Sequence, residues 1–70
     1  MTHSIHLFIG DDGSGRPTWL TRHSDPGVRE LFGTDVIPTP YFAETPEAVV
    51  LAKLRERNPD HVVTAQSQFN

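Results

Sequence analysis

Four histidines in 70 residues, His3, His6, His23 and His61, are the side chains of this sequence most able to do chemistry near neutral pH. His3 and His6 are three apart. On a strand that spacing sends them to opposite faces, so they cannot share a metal directly. His3 and His23 can face each other at the base of a hairpin, with Asp25 or His61 as a third group. Two imidazoles and a carboxylate are a ligand set for zinc or nickel, which makes His3 and His23 the metal candidates. The plainer reading is polar residues at strand ends, and a His3–His23 contact would also titrate near neutral pH.

Other chemistry finds less material. Gly10, Gly13 and Gly15 do not have dinucleotide-loop spacing, no Gly-Lys-Ser/Thr follows, and Asp11 and Asp12 would repel a phosphate. The same two aspartates lack the alternating ligands and distant glutamate of a calcium loop. The segment therefore reads as a hairpin loop. There is no cysteine, and no serine lies in a nucleophile elbow. A chain this short also has little room for a water-excluding pocket. The sequence predicts no catalysis and no cofactor.

The elements that would position these residues are legible. Residues 4–9 alternate with period two, placing Ile5, Leu7 and Ile9 on one face and Ser4, His6 and Phe8 on the other. Residues 17–22 form a second strand, giving a hairpin over residues 3–22. Centring its loop on Gly13 sets Leu7 opposite Trp19, Ile5 opposite Thr21, His3 opposite His23, Phe8 opposite Thr18 and His6 opposite Leu20. A one-residue slip would reverse every face.

Asp25 and Pro26 start a short helix within residues 25–33, Val28, Leu31 and Phe32 form its apolar stripe, and Gly33 ends it. Residues 34–44 form a proline-containing strap. Pro38 and Pro40 remove two backbone donors, making poor material for a central strand, yet Ile37, Tyr41 and Phe42 need something to pack on.

The main helix spans residues 45–58. Thr45 is expected to cap it, Pro46 to take the first helical position, and Glu47 and the basic residues Lys53, Arg55 and Arg57 to match the dipole. Val50, Leu51 and Leu54 share its apolar face, with Val49 outside. Residues 61–66 form a third strand, placed beside the first, and residues 67–70 a tail that Phe69 could anchor.

The expected fold is α+β, in the order β-β-α-α-β. A three-stranded, mostly antiparallel sheet carries one main amphipathic helix on one face. The core would hold Ile5, Leu7, Ile9, Trp19, Val28, Leu31, Phe32, Val50, Leu51, Leu54 and one of Val62 or Val63. Seventy residues make one domain with a thin core, for which self-association or a partner is a reasonable expectation.

Nine acidic against six basic side chains, net charge -3, argue against coating nucleic acid or an anionic membrane. The absence of cysteine excludes a disulfide scaffold and fits a cytoplasmic protein. Residues 1–6 carry no basic region, and the apolar run ends at Gly10, which is neither a signal peptide nor a membrane span.

His6, Phe8, Leu20 and Arg22 then share the sheet face away from the helix. Large apolar residues there should be covered, either by the strap with Tyr41 and Phe42 or by another chain. Protein–protein contact through these six residues, as a homodimer or a regulatory subunit, is the function the sequence supports best. Open sheet edges would also allow strand addition. Single-stranded nucleic acid on the same face is the alternative, although the RNP signature of base-stacking sheets is absent. The histidine metal site is the third reading.

Overall fold

A computed structural model describes residues 2–11 and 13–65. The hairpin of β1 (Ser4–Asp11) and β2 (Pro17–His23) is the centre of the molecule. Its register differs from the expected one by two residues: His6 lies opposite Arg22, Leu7 opposite Thr21 and Phe8 opposite Leu20. The loop is the cause. Both strands extend to Asp11 and Pro17, and the turn is centred on Ser14 rather than Gly13. The Asp11 carboxylate accepts from Gly13 N at 2.8 Å and Gly15 N at 2.9 Å. Gly13 and Gly15 take φ of 98° and 84°, which a Cβ would oppose. An even shift preserves faces, so the division between inward and outward residues stands while every cross-strand pair changes.

The larger correction concerns the strap. It is a strand, β3 (Val36–Phe42), antiparallel to β2, and it makes the sheet four-stranded in the order β3-β2-β1-β4. Its prolines are tolerated because it is an edge strand. The ladder is irregular between Thr18, opposite Phe42, and Leu20, opposite Pro38. Thr39 repairs the break: its hydroxyl donates to the Trp19 carbonyl at 2.7 Å.

Between β2 and β3, α1 (Pro26–Phe32) is capped as its sequence requires. Asp25 accepts from Gly27 N at 2.9 Å, and Gly33 in the left-handed region closes the end onto the Arg29 carbonyl. Its apolar stripe nevertheless buries nothing. Leu31 is 76 % and Phe32 60 % exposed, so they and Val28 do not belong to the core. Both ends are satisfied locally, and only Val28 of the stripe is half-buried.

The main helix, α2 (Glu47–Arg57), follows a turn in which Thr45 N donates to the Phe42 carbonyl. Pro46 is the N-cap and no side chain caps the helix, contrary to the expectation for Thr45. Thr45 contributes its carbonyl instead, accepting the Trp19 indole N–H at 2.9 Å and tying the helix start to the sheet. At the other end, the backbone N–H and side-chain amide of Asn58 both reach the Leu54 carbonyl. The chain then enters β4 (Val62–Ala65), parallel to β1 as the long connection allows. Gln66 and the tail lie outside the described residues.

Ile5, Leu7, Trp19, Val50, Leu51, Val63 and Ala65 form the core, with Tyr41 and Leu54 against it. Ile9, expected in the core, is 40 % exposed and lies outside it.

Candidate binding face

Helix α2 packs on the face carrying Ile5, Leu7 and Trp19, and α1 buries no residue. Among the described residues no helix core packs on the opposite face, which is open around Phe42 and Val62 and closed over Thr18 and Leu20. His6 and Phe8 from β1, Arg22 from β2, Phe42 from β3 and Val62 from β4 share that face, Phe42 near the end of the β1–β2 turn and Val62 at the opposite end. Rather than covering this face, the strap joins the sheet and widens it. It also separates two of the expected partners: Phe42 stands on the open face, while Tyr41 turns to the helix side and packs against the core.

Leu20 lies on the open face but is only 7 % exposed, which corrects its assignment as a contact residue. Phe8 and Pro38 lie opposite it on the two neighbouring strands. Gly10 makes room for it, since a Cβ at that position would sit 2.8 Å from the Leu20 Cδ1. Leu20 is the packed base of the face rather than its surface.

The exposed part has a consistent chemistry. The rings of His6 and Phe8 stack with centroids 6.1 Å apart and an interplanar angle of 15°. The Arg22 guanidinium carbon is 5.6 Å from the Phe8 centroid, and that of Arg16 is 3.7 Å from the Phe42 centroid. Arg16 also bonds Glu44 at 3.0 Å, which fixes it over the ring. Across to β4, His6 Nδ1 is 3.4 Å from the Thr64 hydroxyl. Phe42 and Val62 remain 41 % and 54 % exposed. Arg16, Val62 and Thr64 were not found by sequence reasoning, because their membership depends on which strands are neighbours.

At one end of the sheet the other histidines gather without forming a ligand set. His3 Nε2 is 3.9 Å from Asp25 and its ring 6.3 Å from that of His61. His23 pairs with Ile5, not with His3, and its Nε2 is 3.0 Å from the Thr21 hydroxyl. Burial lowers the His23 pKa below the ordinary histidine value, the His61 charge adds to this, and Asp25 and Asp35 oppose it. His61 Nδ1 is buried without a hydrogen-bond partner among the described residues. No group of three or more histidine or acidic side chains among those residues is placed to hold a metal ion.

No described helix is long and apolar enough to cross a membrane. No family model, curated protein or solved structure matches this chain.

Proposed function

We propose that this protein acts in the cytoplasm as a non-catalytic accessory subunit, binding another protein through the open sheet face. The supporting observation is the set of aromatic rings flanked by arginines on a face where, among the described residues, Phe42 and Val62 remain exposed. Aromatic residues and arginine are the types that anchor protein interfaces. His6, Phe8, Arg22, Phe42 and Val62 are held by strands, and Arg16 is held by its pair with Glu44 from the neighbouring turn. A partner suited to it carries apolar groups for Phe8 and Val62 and a carboxylate for Arg22. The acidic group called for by Arg22 makes an acid-bearing protein the partner proposed, with a second copy of this chain as the other occupant the test distinguishes.

The same geometry speaks against single-stranded nucleic acid. A base must stack on an aromatic ring, but the Phe42 ring is already covered by Arg16, and Phe8 is flanked by His6 and Arg22. The net charge of -3 gives no general attraction to phosphates.

A photoreactive benzoylphenylalanine at Val62, expressed in the host cell, tests the proposal against the same group at Ala52 on the exposed side of α2. One discrete protein adduct from position 62, lost when Phe8→Glu and Arg22→Glu are added to a chain that still folds, supports it. Equal adduct patterns from both positions, or an oligonucleotide adduct from position 62, refute it. An adduct of twice the chain mass would identify the partner as a second copy.

A further inference from the structure

Helix α2 packs chiefly on β4, and among the described residues part of its own side of the sheet is left uncovered beside β3. The gap is a half-open groove of about 210 Å³. Ile37 and Tyr41 from β3 and Leu54 from α2 supply apolar walls, while Lys53 and Arg57, one turn apart on the helix, line it with positive charge. Neither cation makes an ion pair or hydrogen bond among the described residues, and the Tyr41 hydroxyl has no partner there. No aspartate or glutamate lines the groove. A small apolar concavity with two uncompensated cations and a free hydroxyl on its walls is complementary to one kind of ligand.

We propose that this groove binds a small organic carboxylate with a compact apolar body, such as an aromatic or branched short-chain acid. The body rests on Ile37, Leu54 and the Tyr41 ring, and the carboxylate meets Lys53 and the Arg57 fork. The size is appropriate, since an apolar cavity of about 150 Å³ accepts benzene. An extended peptide is a poorer occupant. Strand addition to β3 needs backbone donors, and Pro38 and Pro40 have none to offer. His23 also lines the groove and, with its pKa lowered, presents a neutral imidazole at pH 7 rather than a third cation.

The test is a titration of the folded chain with sodium benzoate and with 4-methylvalerate, followed by amide chemical shifts. Ligands of this size reach roughly millimolar affinity, so titration to about 20 mM covers saturation. The expected result is saturable shifts clustered at Ile37, Thr39, Tyr41 and Leu54 with at least one of the two acids. Benzamide, the neutral counterpart of benzoate, should bind at least about fivefold more weakly than the acid. Lys53→Gln and Arg57→Gln should each weaken binding about three- to tenfold, and added salt should weaken it further. Both side chains are exposed, so these variants keep the fold. Arg29→Gln on α1 removes the same charge outside the groove lining and should change nothing. Absence of saturable shifts with either acid, equal binding of benzamide, or an Arg29→Gln effect matching the groove variants would overturn the proposal.

Discussion

The exposure of α1 can be tested by making one chemical change at two sites. Leu7 is 0 % exposed at the centre of the core, whereas Leu31 is 76 % exposed on α1. Leu7→Ala removes a fully buried side chain and leaves a cavity, at a cost of about 3 kcal/mol or more. Leu31→Ala gives up only the quarter of its surface that is covered, about 0.5 kcal/mol, and alanine's higher helix propensity returns a few tenths.

A chain of this size has an unfolding entropy of roughly 0.15 kcal/mol/K near its midpoint, so 1 kcal/mol moves Tm by about 7 °C. Thermal circular-dichroism melts should therefore show Leu7→Ala lowered by about 20 °C or more and Leu31→Ala within about 3 °C of the parent. Total stability is expected at about 4–10 kcal/mol, so Leu7→Ala can lose the transition altogether. Leu7→Val, at about 1 kcal/mol, then gives a readable shift. Measuring at two protein concentrations separates packing from association. A Leu31→Ala loss equal to that of Leu7→Ala, independent of concentration, would mean that α1 packs on the sheet and that the open face is not open.

Three further outcomes follow from the structure. The folded-state pKa of His23 is depressed, so the unfolded chain binds more protons and stability rises with pH. This contribution is complete above the unfolded value of about 6.5 and is lost as pH falls through it toward the folded value, so Tm measured from pH 8 to pH 5 should fall, and His23→Gln should flatten that slope. Asp25→Ala removes the cap on Gly27 N, a loss of about 1 kcal/mol; because α1 buries nothing, the effect should appear as faster amide exchange confined to residues 27–32. Trp19→Phe leaves the Thr45 carbonyl without its indole donor and should cost about 1–3 kcal/mol in denaturant unfolding, with the start of α2 exchanging faster.

Much of the candidate face was legible before any coordinates, and the reason is periodicity rather than register. His6 and Phe8 are two apart, as are Leu20 and Arg22, so any even pairing of the two strands puts all four on one side. The observed register differs by two residues from that of a Gly13-centred loop, and the face survived the shift. The detailed pairs did not. The Asp11 carboxylate holds the amides of Gly13 and Gly15 and sets the loop's width, a local geometry that glycine counting alone does not reveal. Caps at both ends of α1 were readable for the opposite reason, since they depend on residues within a few positions of each other.

What covers the face could not be read, because that depends on where residues 36–42 go. Two prolines in seven residues look like material kept out of a sheet, and alternation is weak there. An edge strand needs only one side of its backbone to bond, however, and Thr39 supplies a side-chain donor where the ladder breaks. Once the segment lies in the sheet, Phe42 is carried onto the open face beneath Arg16, and Tyr41 is carried to the other side, into the groove below Lys53 and Arg57. The two aromatics read as one strap thus serve two surfaces. That separation makes the proposals independent: Phe8→Glu should abolish the protein adduct at Val62 and leave carboxylate binding intact, whereas Lys53→Gln should do the reverse. A single substitution that removed both from a folded chain would show that the two faces are coupled through the sheet, and the case for two separate sites would fail.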